Sequence, residues 1–418
     1  MKAFYTSLLL VVLLFPATRL SGYSVLAHEA IVDSVWNESI VKLLRQRFPS
    51  ATAEELKAAH AYAYGGCLIQ DLGYYPFGSH LFTDITHYVR SGDFVAEMLR
   101  DSRDLNEYAF ALGALAHYAA DDIGHPLATN RAVPILYPKL QRKYGNEVSY
   151  EDDPAAHLKT EFGFDVLQVA RGRYASDAYR DFIGFEVSKP LLDRAFQHTY
   201  ALELKDVFRA LDLAIGSYRR SVSSIIPKMT KVAWEIKHDE IQKSVPGITR
   251  EKFLYNLSRS AYEMKWGKDY REPGFTTHLM GFLFRIIPKI GPFRALRFRT
   301  PTPEAEKLFL NSFNLTVNQY SSLLSVEASG QTRLPNKNLD LGKDTAPGIY
   351  ELADKTYADL IDKLAARQFA GVSADLRNDI LTFYRDGVRA TALRNPQQAS
   401  KLSREIELLR AAADSSAQ

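Results

Sequence analysis

The sequence predicts an all-α fold, and three observations carry that prediction. Apolar residues recur at mixed three- and four-residue steps over long stretches, which is typical of amphipathic helices. Strand-like alternation of apolar and polar residues is scarce. Apolar residues make up 46% of the 418-residue chain and charged residues 24%, a balance that indicates a folded globular protein rather than a disordered one.

Helix candidates follow one another along most of the chain. Residues 26–48 place their apolar positions at helical spacing. Thr52, with Glu55 three residues later, forms a candidate capping box at the start of a helix over 53–64. Residues 105–124 are rich in Ala and Leu and predict a buried helix. Further helix candidates are residues 155–170, 188–240, 250–264, 304–325, 350–370, 374–392 and 398–413.

Two stretches predict irregular structure because they are rich in turn-forming residues. Residues 71–93 combine glycines, aromatic residues and polar residues, and residues 329–348 have the composition of a loop or linker. No internal repeat and no low-complexity tract is evident in the sequence.

Residues 1–22 have the pattern of a secretory signal peptide. Lys2 supplies a positive start, and residues 8–15 form an apolar run that is short for a membrane span. Gly22 is a small residue at the candidate cleavage point, so Tyr23 is expected to begin the mature chain. The alternative is an uncleaved membrane anchor. Cleavage is the preferred interpretation, and it predicts export to the periplasm or the extracellular space.

The charge balance and the single cysteine exclude some classes of protein. The signal peptide carries two basic residues and no acids, so the mature chain would have 50 basic and 49 acidic residues. Strong nucleic-acid binding is therefore not expected from the overall charge. Cys67 is the single cysteine, which excludes an intrachain disulfide.

The strongest chemical signal lies in residues 117–125, HYAADDIGH. His117, Asp121 and His125 stand four residues apart, so a helix would present all three on one face. The alternative is a polar, solvated face, but the surrounding Ala and Leu residues leave little exposed surface. Imidazole and carboxylate are ligands that zinc accepts. Pro126 disfavours helical backbone at the residue before it, so we expect His125 to lie where the helix ends.

Further ligand candidates cluster in the same part of the chain. His157 and Glu161 stand four residues apart, as two residues on one helical face do. Asp71 is followed by His80 and then His87. The candidate ligands between residues 28 and 161 are His28, Asp71, His87, His117, Asp121, His125, His157 and Glu161.

The order of these residues resembles the bacterial zinc-dependent phospholipase C family. The order is His, Asp, His, His-x3-Asp, His and then His-x3-Glu, and it is also similar to the fungal-type zinc nucleases that cut single strands. The resemblance covers about residues 23–165, with general helical character to about residue 265. It implies an all-α fold and a cluster of two or three zinc ions.

Carried over to this sequence, the resemblance implies three zinc sites. The first site would be held by Asp71, His87, His117 and Asp121. The second site would be held by His125, His157 and Glu161. The third site would be held by His28, by Asp121 as a bridge, and by the backbone amine and carbonyl of Tyr23.

The sequence departs from the family pattern in three places. His125 follows Asp121 by four residues, where the phospholipases and nucleases have six. This shorter step resembles the phospholipase-like domain of glycosylphosphatidylinositol-specific phospholipase D. Tyr23 stands where those families have Trp. His80 competes with His87 as a ligand, and His87 is preferred because its Thr-His-Tyr context resembles the family's segment.

These features predict an exported zinc-dependent phosphodiester hydrolase of the phospholipase C type. Clustered zinc ions lower the pKa of a bound water to about 7 and clamp the oxygens of the phosphate. Asp71 would serve either as a ligand or as a general base. The alternative functions are a single-strand nuclease and a non-catalytic, exported metal-binding protein. Aromatic residues after Asp71 would either form a wall of the site or pack in the loop, and they are Tyr74, Tyr75, Phe77 and Phe82.

The predicted organisation is a signal peptide, a catalytic domain and a helical C-terminal region of unknown role. Their expected bounds are 1–22, 23–265 and 266–418. Residues 278–299 mix five basic residues with large apolar ones and contain no acids. That composition suits contact with a membrane surface, and the alternative is a buried crossover. The expected partner is a phospholipid or another phosphodiester substrate.

Overall fold

Helices account for most of the computed structural model. The structure describes residues 25–174, 184–222, 226–250, 252–253, 296–330, 332–387 and 396–414. The strands in these residues are a two-residue antiparallel pair, β1 (Lys337–Asn338) and β2 (Lys343–Asp344). The prediction of an all-α fold is confirmed.

The first nine described helices lie in the part of the chain that contains the candidate ligands. In chain order they are α1 (Val25–Val35), α2 (Val41–Arg47), α3 (Ala53–Gly66), α4 (His80–Tyr88), α5 (Ser91–Asp101), α6 (Leu105–Gly124), α7 (Asn130–Leu136), α8 (Pro138–Tyr144) and α9 (Pro154–Arg171). A π-helical turn, Trp36–Ile40, joins α1 to α2, and a 3₁₀ turn, Ile69–Tyr74, precedes α4.

Eight further described helices follow. They are α10 (Lys189–Tyr200), α11 (Leu204–Val207), α12 (Leu211–Arg220), α13 (Ile226–Ser244), α14 (Pro303–Ala328), α15 (Glu351–Ala366), α16 (Ala374–Phe383) and α17 (Pro396–Asp414). None of the helices in the described ranges is long and apolar enough to cross a membrane.

Local sequence signals account for several of the helices that were predicted. The capping box of α3 forms as expected: the Thr52 hydroxyl accepts from the Glu55 amide at 3.2 Å, and Glu55 Oε2 accepts from the Thr52 amide at 2.8 Å. The predicted helix over 105–124 coincides with α6. The predicted helix over 26–48 is present as α1, the π-helical turn and α2.

Three predictions of local structure were wrong in detail. Residues 71–93 are mostly helical, because Ser79 caps α4 by accepting from the amide of Phe82, whose ring is then buried. The span 188–240 is divided into α10–α13, and Ala201 ends α10 in the left-handed region at φ 53°. Of the span 374–392, the described part ends at residue 387 and is helical to Phe383. Most of the candidate helix over 250–264 lies outside the described residues.

The end of α6 is only partly as predicted. The α-helix does stop at Gly124, but the chain continues through a π-helical turn, His125–Thr129, into α7. His125 itself keeps helical backbone angles, with φ −61° and ψ −60°. The wider turn shifts the hydrogen-bond pattern, so that the Asn130 amide bonds to the His125 carbonyl and Pro126 causes no break.

Helix α6 is the centre of the packing. It crosses α3 and also contacts α1, α5 and α14. The crossing with α3 is close because it uses glycines: a Cβ at Gly113 would lie 2.0 Å from the Ala63 carbonyl oxygen, and a Cβ at Gly66 would lie 2.0 Å from the Phe110 carbonyl oxygen. Most of the buried apolar residues form one continuous cluster that includes both α6 and the C-terminal helices α14–α17.

This packing makes a prediction about Gly113. Gly113→Ala should lower the free energy of unfolding by about 1–3 kcal/mol, because the added methyl group overpacks the backbone contact. Gly216→Ala is the matched control, since a Cβ on this exposed position of α12 meets nothing within 4 Å. The control should be neutral or up to about 1 kcal/mol more stable, owing to the higher helix propensity of alanine. Denaturant unfolding of both variants tests this, and equal stability would contradict the close crossing.

Candidate metal centre

Four helices and two helical turns converge on the same buried point. Helix α6 supplies two side chains, and α1, α4 and α9, the 3₁₀ turn and the π-helical turn after α6 supply the others. Every member is buried, and the members are His28, Asp71, His87, His117, Asp121, His125, His157 and Glu161. The structure therefore brings together all the sequence-predicted ligands except Tyr23, which lies outside the described residues.

Asp121 lies at the centre of this cluster and is 0% exposed. Its Oδ1 is 3.5 Å from His28 Nε2, and its Oδ2 is 3.2 Å from His117 Nε2. His87 Nε2 also lies 3.3 Å from Oδ2. Because different histidines face its two oxygens, Asp121 has the geometry of a carboxylate that bridges two metal ions.

The distances between the donor atoms match those expected around a zinc ion better than those of direct hydrogen bonds. Zinc–nitrogen and zinc–oxygen bonds of about 2.0–2.1 Å place neighbouring atoms of a tetrahedron about 3.3 Å apart. His87 Nε2 lies 3.2 Å from His117 Nε2 and 3.5 Å from Asp71 Oδ1. Neither oxygen of Asp121 receives a hydrogen bond within the described residues. The donor atoms of Asp71, His87 and His117 all lie within 4.8 Å of one another, and Asp121 Oδ2 lies within 3.3 Å of the two histidines. We call these four residues the four-donor set, and their spacing suits one zinc ion.

A second set lies beside the first and has three donors. His157 Nε2 is 2.8 Å from Glu161 Oε1, and His125 Nε2 is 3.9 Å from the same oxygen. His125 Nε2 is also 3.9 Å from Asp121 Oδ2, which places this set next to the four-donor set. Two imidazoles and one carboxylate are the ligand set of zinc sites that keep an open position for water or substrate.

Two of the histidines are oriented by backbone carbonyls. His117 Nδ1 lies 3.0 Å from the Cys67 carbonyl oxygen, and His87 Nδ1 lies 2.8 Å from the Thr83 carbonyl oxygen. If each Nδ1 donates its proton to the carbonyl, each Nε2 is left unprotonated and aimed at the cluster. This is the usual arrangement of a metal-ligating histidine.

The electrostatics of the cluster favour a bound cation. Burial lowers the pKa of His157 to about 3, so its imidazole is neutral and can act as a ligand. Burial raises the pKa of Glu161 well above its ordinary range, and the nearby carboxylates raise it further. Burial alone would raise the pKa of Asp121, but His117 and His125 hold it well below its usual value. A cation would stabilise both carboxylates in their charged forms.

The structure distinguishes between His80 and His87 as ligand candidates and shows where the aromatic residues after Asp71 lie. His87 lies in the cluster, whereas His80 is exposed at the first position of α4. Three of the four aromatic residues pack in the interior, with Tyr74 against Tyr150 and Tyr75 against Tyr218 as examples. Loop packing is thus the better interpretation for those three. Phe77 is 56% exposed and differs from them.

One residue next to the cluster was missed by the sequence analysis. Asp340 Oδ1 lies 3.1 Å from His125 Nδ1, and Asp340 is buried. It belongs to residues 329–348, which were correctly expected to be irregular but were not expected to approach the ligands. The available signal was a carboxylate between two leucines in an otherwise polar stretch, and such a signal is weak.

The helical frame and the buried histidine–carboxylate cluster define a protein with the ligand types and the ligand spacing of a zinc site. Comparison with known proteins agrees with that class. Residues 27–210 match the family model described as zinc dependent phospholipase C. No curated protein and no solved structure matches the chain.

The geometry predicts opposite outcomes for the two competing histidines. His87→Ala should lower the zinc content, because it removes a donor from the four-donor set. His80→Ala is the matched control and should keep the wild-type zinc content, since this ring is exposed. Elemental analysis of both purified variants makes the comparison. Zinc loss in the His80 variant with none in the His87 variant would reverse the ligand assignment.

Zinc removal should destabilise the fold. Ligands from separate helices are joined through the ions, so an ion at about a thousandfold excess over its dissociation constant contributes about 4 kcal/mol. Chelation should therefore lower the melting temperature, and added zinc should restore it. A melting temperature that is the same with and without chelator would contradict the metal centre.

Proposed function

We propose that this protein is an exported, zinc-dependent phosphodiester hydrolase of the phospholipase C type. The family match supports a phosphodiesterase-like hydrolase at the level of the family. The observation that carries the proposal is the pair of adjacent donor sets, a set of four that contains Asp121 and a set of three whose His125 Nε2 lies 3.9 Å from Asp121 Oδ2. Export is supported by the signal-like residues 1–22, which lie outside the described residues.

The protein's own residues have distinct roles in this proposal. Asp71, Asp121 and Glu161 would place three carboxylates where a phosphate anion must approach, and like charges repel. Zinc held by these residues would neutralise it and supply an activated water. The three-donor set of His125, His157 and Glu161 leaves room for a further ligand, so we assign substrate binding to that side.

Asp71 is the candidate for proton transfer. It is buried at the end of the cluster, and its Oδ1 lies 3.5 Å from His87 Nε2. Burial raises its pKa despite the nearby histidines. We propose that Asp71 either completes the four-donor set or accepts the proton of the attacking water, and zinc content distinguishes these roles.

The proposal is tested by hydrolysis assays with Asp71→Asn as the diagnostic variant. The wild-type protein should hydrolyse phosphatidylcholine or a soluble phosphodiester and lose that activity on chelation. Asp71→Asn should reduce turnover by about 100-fold or more if the side chain acts as a general base, with zinc content unchanged. If Asp71 is a ligand, zinc content should fall together with turnover.

Asp359→Asn is a suitable control, because Asp359 is a partly exposed residue in a helical ion pair with Lys355. It should leave both quantities unchanged. Wild-type turnover and zinc content in the Asp71 variant would exclude both roles for Asp71. Hydrolysis of single-stranded DNA with no activity on either lipid or soluble phosphodiester would favour the nuclease alternative.

We further propose that residues 278–299 contact an anionic membrane surface. Residues 278–295 lie outside the described residues; of the remaining four, Leu296 and Phe298 are buried, and Arg297 and Arg299 are exposed. Support comes from their five basic and several large apolar residues. Replacing Phe282 and Phe284 with Ser should weaken binding to vesicles that contain anionic lipid. Turnover of a soluble phosphodiester should stay unchanged. Equal loss of vesicle binding and soluble turnover would instead indicate a role in the core.

A further inference from the structure

A C-terminal segment lies against the metal centre and is hydrogen-bonded to the helices around it. We call residues 334–350 the strap. The Tyr118 hydroxyl of α6 donates to the Pro335 carbonyl at 2.8 Å, and the Ser91 hydroxyl of α5 donates to the Lys337 carbonyl at 2.7 Å. The amide of Leu339 donates to the carbonyl of His87 at 3.1 Å. The strap is therefore hydrogen-bonded to the backbone of His87, which is a residue of the four-donor set.

The strap also lies against the backbone next to Asp121. Gly342 has φ +64°, and a Cβ there would lie 2.6 Å from the Asp122 carbonyl oxygen and 2.8 Å from Pro126. Lys337 Nζ lies 2.8 Å from Oδ2 of Asp122, which is a buried residue. These contacts leave little freedom in the position of the strap over the end of α6.

Asp340 is the residue of the strap that reaches the ligands. It is 1% exposed, and its Oδ1 lies 3.1 Å from His125 Nδ1. Its Oδ2 accepts from the Tyr150 amide at 3.0 Å and from the Tyr350 hydroxyl. Its backbone carbonyl accepts from Asn130 Nδ2 at 2.7 Å. Partners from three separate parts of the chain thus hold this carboxylate in place.

His125 differs from the other oriented histidines in the type of its partner. His87 and His117 place Nδ1 against backbone carbonyls from the first part of the chain. His125 places Nδ1 against a carboxylate from beyond residue 210, where the family match ends. A carboxylate in that position fixes the ring and makes Nε2 a stronger ligand.

We propose that Asp340 is a positioning residue of the zinc centre. Its Oδ1 lies 3.1 Å from His125 Nδ1, where it would accept the proton of that nitrogen when Nε2 binds zinc and thereby hold Nε2 toward the three-donor set. The strap then contributes to zinc binding by orienting a ligand, although it lies in the C-terminal region. This inference rests on the proposed function, because it requires that zinc is held by His125, His157 and Glu161.

The test is the zinc affinity of Asp340→Asn in the full-length protein, measured by competition with a chelator at a temperature where all variants are folded. Loss of the carboxylate should weaken the binding of one zinc ion by about 10- to 100-fold. Asp344→Asn is the matched control, because Asp344 is an exposed residue of the same strap. The control should keep wild-type affinity. Affinity in Asp340→Asn equal to that of the control would overturn the proposal, even if the melting temperature of the metal-free protein falls.

A second variant keeps the test decisive if Asp340→Asn does not fold. Tyr350→Phe removes the hydroxyl that donates to Asp340 and leaves the carboxylate in place, so zinc affinity should fall by a smaller factor. Unchanged affinity in that variant would then overturn the proposal. Absence of zinc from the wild-type protein would instead contradict the proposed function, so the two failures are distinguishable.

Discussion

The buried carboxylate of Asp121 is the constraint on which the rest of the structure depends. A charged group with no access to water is strongly destabilising unless it is paired with positive charge. The groups that face Asp121 are the imidazoles of His28, His87, His117 and His125. Burial holds the pKa of His28 well below its usual value, whereas Asp121 and Asp71 overcome burial and raise the pKa of His87 to about 10. Positive charge at Asp121 would thus come from His87 when no ion is bound and from metal ions when the histidines act as neutral ligands. The ions, in turn, need donors from several helices, so the metal centre and the fold stabilise each other.

The small residues of α6 make this burial possible. The glycine contacts with α3 bring two helices within backbone distance, and α14 covers another side of α6. Larger side chains at these crossings would separate the helices and admit water to the ligands. The Ala-rich sequence around residues 117–125 is thus part of the site as well as part of the core.

The sequence alone predicts those features that depend on local spacing. The capping box of α3, the full span of α6 and the pairs His117/Asp121 and His157/Glu161 follow from helical periodicity, and the structure contains all of them. The helical character of residues 71–93 was missed because α4 has few strong helix formers. Burial of Phe82 and Ile85 and the cap at Ser79 stabilise it instead. Asp340 could not be predicted because its role depends on a contact with a residue distant in sequence, and no local pattern encodes that contact.

The most direct test of the central claim is the position of zinc in the folded protein. Anomalous diffraction at the zinc absorption edge, from crystals of the protein purified without chelator, locates the ions independently of any activity. One peak is expected among Asp71, His87, His117 and Asp121, and another among His125, His157 and Glu161. Well-ordered side chains at these positions with no anomalous peak between them, in a protein that is active, would contradict the central claim.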